Sequence, residues 1–227
     1  MSVTTELEAR PFSGRLREST RGVHERANHS TYMNALLGGE LSLEGYTQLA
    51  IQYYFIYQAI ERVSDTMTGD AVGREFVFDE LRRLPALERD LARLAGPAWR
   101  TEIRPLASTE AYAARIAEAS AWAGGYVAHH YTRYLGDIAG GQIIRRLLEK
   151  NFDLAEAGSL FYHFDEIGSA PAFRDRYRAK LDAAPWDDDA RARVINETLV
   201  AFEHNVAVFD ELALELDRYR LAGRPGG

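Results

Sequence analysis

Apolar residues recur along this chain at spacings of three and four, and this helical periodicity constrains the fold more than any other feature. Leu16, Thr20, Val23 and Ala27 fall on one side of a helix that is predicted from about residue 14. No segment of the sequence alternates apolar and polar residues as a half-buried strand does, and there is no hairpin signal. The sequence therefore predicts an all-α protein.

Start and stop signals divide the chain into successive helices. Ser30 is a predicted N-cap for a short helix that stops at Gly38-Gly39, and Ser42 is predicted to begin a long, largely buried helix. Prolines and glycines over residues 79–108 predict shorter helices there. The later predicted helices cover residues 109–150 with a break at Gly124-Gly125, residues 171–182 and residues 187–219.

Composition limits both domain number and partners. The chain has 227 residues, 46% of them hydrophobic, and no linker or repeat, so we predict one domain over residues 14–219 with flexible ends at 1–13 and 220–227. A formal net charge of -7 gives no overall attraction to nucleic acid or to anionic membranes. The absence of a signal peptide and of a long apolar run predicts a cytoplasmic protein without a membrane anchor. Since there are no cysteines, disulfides, thiolate metal sites and a cysteine nucleophile are excluded.

Three glycines surround one aspartate in the stretch YLGDIAGGQ, residues 134–142, although strong helix formers follow directly. Each glycine costs about 1 kcal/mol relative to alanine inside a helix. At about 100° per residue, Arg133, Gly136, Asp137 and Gly140 share one helix face. A tight helix crossing would explain these glycines. A flat ligand such as haem, held from the other side by a histidine, would explain them as well, and the spacing alone leaves both interpretations open.

Longer segments resemble the heme oxygenase family. AHHYTRYLGDIAGGQIIRRLL resembles the family's distal-helix signature, and LRESTRGVHERANHSTYMNALLGGEL resembles its proximal-helix segment. YFIYQAIE, LFYHF, FRDRYRAKL and AFEHNVAVFDEL resemble further family segments in the same order, so the resemblance extends from about Leu16 to Leu212. It implies one helical bundle in which haem b is sandwiched between a proximal helix and a glycine-kinked distal helix.

The activity that this resemblance implies is the oxidative cleavage of haem to biliverdin IXα, carbon monoxide and ferrous iron. Haem would be both substrate and cofactor, and O2 and reducing equivalents would be consumed. The implied electron donor is a ferredoxin or flavodoxin with its NAD(P)H reductase. A non-catalytic haem carrier on the same fold is the alternative, although it would not need the full distal motif. A di-iron oxidase is disfavoured because no histidine follows a glutamate by three residues.

The resemblance also assigns roles around the iron. His24 would be the proximal axial ligand and therefore the metal-binding residue. Asp137 would hold ordered water beside bound oxygen, with Arg133 and Tyr57 as supporting partners. Many family members carry a glutamate four residues after the ligand, where this chain has Asn28, and a neutral amide would give the imidazole less anionic character than a carboxylate does.

Other matched positions would contact the porphyrin and its propionates. The distal backbone would lie against the porphyrin at Gly136, Gly140 and Gly141. The residues that match the propionate and pocket-wall positions are Arg17, Tyr131, Arg174, Arg178 and Phe202, whereas Asn205 has no assigned role. The remaining histidines, for which we keep a structural interpretation, are His29, His129, His130, His163 and His204.

Overall fold

Twelve α-helical segments, joined by loops and single turns of 3-10 helix, make up residues 10–154 and 157–221, which the computed structural model describes. Within these ranges the only β-structure is one bridge between Leu41 and Arg220, so the all-α prediction is confirmed. The segments are α1 (Phe12–Ser19), α2 (Arg21–Asn28), α3 (Thr31–Leu37), α4 (Leu43–Met67), α5 (Leu84–Leu94), α6 (Trp99–Glu102), α7 (Ala107–Ala119), α8 (Ala123–His130), α9 (Gly136–Phe152), α10 (Ala170–Ala183), α11 (Asp188–Ala213) and α12 (Leu216–Tyr219).

The first helix begins before the predicted domain boundary. Phe12 is buried and packs edge-to-face on Trp186, and Ser13 donates from its backbone N–H and its hydroxyl to Asp182. These contacts place residues that we assigned to a flexible end inside α1. The predicted flexible residues 1–9 and 222–227 lie outside the described part of the chain.

The predicted caps are confirmed. The Ser30 hydroxyl accepts from the backbone N–H of Met33, and the Ser42 hydroxyl accepts from the backbone N–H of Gly45. Helix α3 ends at Leu37, and Gly39 then takes a φ of +67°, which glycine adopts without strain. The sequence therefore fixes where α3 and α4 begin.

The break in the long central stretch lies earlier than predicted. Helix α7 ends at Ala119, and Gly124 and Gly125 lie in the first turn of α8. A Cβ at Gly124 would lie 2.0 Å from the Trp122 ring, and one at Gly125 would lie 2.1 Å from the Ala119 carbonyl oxygen. These glycines serve close packing at the break. A π-helical turn over residues Tyr131–Leu135 then joins α8 to α9 and provides a bend directly before Gly136.

The core is formed by the long helices. Helix α4 packs on α5 and α7, and α11 packs on α7, α8 and α2. The predicted last helix ends at Ala213 and not at residue 219, and Asp187 caps its start by accepting from the backbone N–H of Ala190. None of the helices within the described ranges has the length and apolar character needed to cross a membrane. This packing leaves α2 and the α8–α9 junction on opposite sides of a cavity.

Candidate functional site

A cavity of about 970 Å³ opens between α2 and the α8–α9 junction. Helix α2 contributes His24, α9 contributes Gly136 and Ala139, and α10 and α11 close the sides with Arg174 and Phe202. The volume is at the upper end of the roughly 300–1,000 Å³ that small-molecule sites span. The cavity therefore has room for a large ligand.

His24 faces this cavity from the α2 side. Its ring lies edge-to-face against Phe202, with the ring centroids 5.8 Å apart. Burial lowers the pKa of His24 below its usual 6.5, in spite of the opposing effect of Glu25. The imidazole is therefore neutral at pH 7 and has a nitrogen lone pair available for a metal. The amide nitrogen of Asn28 lies 3.4 Å from both ring nitrogens, so this neighbour brings no negative charge to the imidazole.

On α9 the cavity is lined by Gly136 and Ala139, which belong to a longer stripe of small and apolar residues on that helix. Gly136, Ala139, Gly140 and Ile143 follow at spacings of three and four and are all exposed. A Cβ added at Gly136 or Gly140 would have no atom of the described residues within 4 Å. Packing within the protein thus does not require these glycines, whereas a ligand lying flat on the helix would.

Gly141 has a different role from its neighbours. It is buried, and a Cβ there would lie 2.6 Å from Cδ1 of Tyr162. The amide of Gln142 also donates to the Tyr162 carbonyl oxygen at 2.9 Å. This glycine therefore makes room for Tyr162, and its predicted place against the porphyrin stays a prediction.

Asp137 lies beside Gly136 in a tight polar cluster. Arg133 donates to its two carboxylate oxygens at 3.1 and 3.4 Å, and the hydroxyl of Tyr57 donates to Oδ2. Burial raises the pKa of Asp137 above its usual range, and Arg133 and Tyr57 oppose that shift only in part. A carboxyl group in this state can exchange a proton with nearby water more readily than an exposed aspartate can.

Arg133 is held by two residues that had no predicted role, Asn205 and Tyr53. Its guanidinium donates to Asn205 Oδ1 at 2.6 Å and lies 4.4 Å from the centre of the Tyr53 ring. Asn205 had no assigned role, and Tyr53 was not singled out, although it lies one helical turn before Tyr57 on the same face of α4. That spacing is the signal that could have identified Tyr53.

Cationic side chains border one edge of the cavity. Arg17, Arg178 and Tyr131 all line the cavity, and the positive charges of the two arginines lower the pKa of Tyr131 against the larger upward effect of burial. The Nε of Arg174 is buried and has no hydrogen-bond partner within the described part of the chain. The residues that line this edge are Arg17, Tyr131, Arg174 and Arg178, together with Arg10 and Arg21, which no sequence signal identified. Arg178 also pairs with Asp175 and Arg21 with Glu18, and the predicted role of this edge in propionate binding stays a prediction. The edge suits an anionic group.

The other histidines lie mostly in the protein interior. His129 lies 3.0 Å from Glu197, His130 lies 2.9 Å from the Tyr177 hydroxyl, and His204 stacks on Tyr112. His29 differs, because it also lines the cavity. No group of three histidine and acidic side chains that could hold a metal ion occurs in residues 10–154 and 157–221, which gives the di-iron alternative no site there.

These features fit one class of ligand. A neutral imidazole faces a bare helix surface, and an unpaired guanidinium nitrogen lies at one edge of the space between them. A planar, largely apolar molecule with a central metal and anionic groups on one edge would fit the imidazole, the helix surface and the guanidinium nitrogen together. Haem has this form.

Comparison with known proteins gives a consistent result. The model of the heme oxygenase family matches residues 10–211. Heme oxygenase 1 of Synechocystis is 33% identical over 202 residues, which cover 88% of this chain and 84% of that protein. Heme oxygenase 1 of Bos taurus is 34% identical over 205 residues, with coverage of 88% and 71%. The crystal structure of the Synechocystis protein in complex with heme aligns with a TM-score of 0.87 at 32% identity, covering 92% of this chain and 95% of that one.

Proposed function

The chain belongs to the heme oxygenase family, and from this membership we propose that its cavity holds haem with His24 as the axial ligand and the α9 stripe as the opposite wall. The protein is an oxidoreductase that degrades haem, and the family's products are biliverdin, carbon monoxide and iron. The observation that carries the site assignment is the neutral His24 ring across the cavity from Gly136 and Ala139. Bound haem supplies the iron at which O2 is reduced and the ring carbon that is oxidised.

The polar cluster around Asp137 would deliver protons. Its carboxyl group has a raised pKa and lies next to Gly136, at the wall of the cavity. Tyr57 and Arg133 occupy its oxygens from the interior side and so hold the carboxyl group in one orientation. Asp137 can therefore order a water molecule at the ligand face and exchange a proton with it.

The cationic edge would hold the two propionates. Arg174 offers a buried Nε that has no hydrogen-bond partner within the described part of the chain, and Arg17, Tyr131 and Arg178 line the same cavity. Arginine can bind a carboxylate through two parallel hydrogen bonds, which fixes orientation as well as position. The contacts at this edge would thus determine which ring carbon faces Asp137.

Replacing Arg174 and Arg178 together by alanine should weaken haem binding by roughly a hundredfold or more, because each of the two charged hydrogen bonds contributes about 1.5–3 kcal/mol. The freed haem should also rotate in its plane, so that biliverdin isomers other than IXα form. Binding titrations and chromatographic separation of the isomers would measure both effects. Arg176→Ala is the matched control. Arg176 lies on the same helix as Arg174 and Arg178, but it pairs with Glu80 and does not line the cavity.

Substitutions at the two adjacent glycines of α9 should have opposite effects on the haem-free protein. Gly140→Ala should raise the free energy of unfolding by up to about 1 kcal/mol, because alanine favours the helix and meets no described atom. The same methyl group should weaken haem binding. Gly141→Ala should destabilise the protein by about 1–3 kcal/mol through its clash with Tyr162. Urea titrations and hemin titrations of both variants would test these expectations, and unchanged haem affinity in Gly140→Ala would contradict the proposed wall.

The proposed function is tested by an absorption time course under air. The purified protein is loaded with one equivalent of hemin and supplied with ferredoxin, its NADPH-dependent reductase and catalase. We expect the Soret band to fall while a biliverdin band grows and a globin captures carbon monoxide. A Soret band that persists under these conditions would favour the haem-carrier alternative. The ferredoxin or flavodoxin donor and the cytoplasmic location stay predictions.

A further inference from the structure

A buried side-chain pair joins the end of α8 to α10, which borders the cavity. His130 is the last residue of α8, directly before the π turn, and Tyr177 lies on α10. His130 Nδ1 and the Tyr177 hydroxyl are 2.9 Å apart, and the two rings are nearly parallel, with centroids 5.6 Å apart. Both residues are buried, with exposed fractions of 2% and 0%. Neither side chain lines the cavity.

The immediate neighbours of this pair do line the cavity. Tyr131 follows His130, and its ring centroid lies 6.3 Å from that of Tyr177. Arg174 lies three residues before Tyr177 and Arg178 one residue after it, so all three extend from one side of α10. The pair thus lies behind the cationic edge and connects it to the π turn that leads into α9, the helix that carries Asp137.

The hydrogen bond is a specific tie and not the general anchor of α10. Salt bridges from Arg176 to Glu80 and from Lys180 to Glu75 also hold this helix, and Asp182 accepts from Ser13. Loss of the Tyr177 hydroxyl should therefore leave α10 folded and attached, while its position relative to the π turn becomes less strictly fixed. Because burial keeps His130 neutral, with its pKa lowered to about 3, the bond persists throughout the pH range of ordinary assays.

We propose that the His130–Tyr177 hydrogen bond sets the in-plane orientation of bound haem, and with it the ring carbon that is oxidised. It would do so by fixing Arg174 and Arg178 relative to the π turn that leads into α9. Both members are positioning residues, since neither touches the ligand space. The proposal rests on the proposed function, in which these arginines hold the propionates.

The test removes the bond while keeping the aromatic stack. Tyr177→Phe is loaded with hemin and cyanide, and the heme-methyl proton NMR signals of the ferric complex report in-plane orientation without turnover. We expect a second set of methyl signals at roughly a tenth or more of the total, because the free-energy difference between the two haem orientations falls by about the contribution of one hydrogen bond. A non-α biliverdin isomer should appear in a similar proportion. A single set of signals identical to that of the unaltered protein would overturn the proposal.

Matched variants separate the hydrogen bond from general packing. Tyr126→Phe removes another buried hydroxyl from α8, one that bonds to Ser64 and the Phe76 carbonyl, and should leave the methyl signals unchanged. His130→Gln can still hydrogen-bond to the Tyr177 hydroxyl and should retain mainly one orientation, whereas His130→Leu should not. Equal signals from the glutamine and leucine variants would contradict a role for the bond.

This inference and the proposed function can fail separately. If hemin does not bind with an imidazole ligand in the unaltered protein, the proposed function fails. If Arg174→Ala/Arg178→Ala mixes the orientations but Tyr177→Phe does not, the propionate assignment holds and the role of the His130–Tyr177 bond is refuted.

Discussion

His24→Ala is expected to lose nearly all haem-degrading activity, because its imidazole is the proposed iron ligand and lines the cavity together with Gly136 and Ala139 of α9. The Soret maximum of its hemin complex should shift away from that of a histidine-ligated iron, and added imidazole should restore part of the original spectrum. Spectral titration with hemin, with and without imidazole, would measure this. Loss of the ligand should cost at least a hundredfold in turnover, on the order of 3 kcal/mol.

His29→Ala is the matched control for this substitution. His29 also lines the cavity but comes after the end of α2, where no described contact directs its ring towards α9. Its variant should keep the spectrum and the turnover of the unaltered protein. If His29→Ala lost the histidine-ligated spectrum and His24→Ala kept it, the assignment of the axial ligand would be reversed.

The same imidazole predicts how haem binding depends on pH. Burial lowers the pKa of His24 below 6.5, so its neutral form, which binds iron, predominates at pH 7. Affinity should therefore be constant above neutral pH and should fall only as the pH drops through the lowered pKa, where protons compete with iron. A decline that begins above pH 7 would show that another group controls binding.

Asp137→Ala is expected to bind haem almost as well as the unaltered protein but to form biliverdin at least about a hundredfold more slowly, the lower limit for removing a positioned proton donor. Its carboxyl group receives hydrogen bonds from Arg133 and Tyr57, which lie on its interior side, and makes no contact that would hold a propionate. Hemin titration and a single-turnover absorption trace would separate binding from chemistry.

Asp137→Asn is a useful companion to the alanine variant. Asparagine keeps an oxygen that can accept from Tyr57 or Arg133 but cannot carry a dissociable proton at neutral pH. Activity as low as that of the alanine variant would indicate proton transfer as the missing function. Normal biliverdin yield from either variant would remove Asp137 from the mechanism.

The helix caps and the glycine face could be predicted from the sequence because they depend on neighbours within one or two turns. Ser30 and Ser42 cap through backbone groups three residues away, and Gly136 and Gly140 share a face by spacing alone. The position of the break near Trp122 could not be predicted in this way, because the glycines beside it are required by their close contact with the tryptophan ring.

Long-range contacts account for the remaining differences. Nothing local distinguishes Gly141 from Gly140, yet Tyr162, some twenty residues later, occupies the space beside Gly141 alone. Likewise, Arg174 and Arg176 look equivalent in the sequence, but only Arg174 borders the cavity. The partner of His130 lies 47 residues away on another helix, so its hydrogen bond was visible only in the fold.

The uncovered stripe on α9 links the lifetime of this protein to its own reaction. A ligand that binds only the folded state stabilises it in proportion to RT ln(1 + [L]/Kd). Here that ligand is consumed by the protein that it stabilises. In the proposed site, plentiful haem would cover the exposed glycines and favour the folded state. Once haem was exhausted, this stabilisation would disappear, and the chain would become more accessible to proteolysis. The enzyme's abundance would then follow the supply of its substrate without a separate sensor.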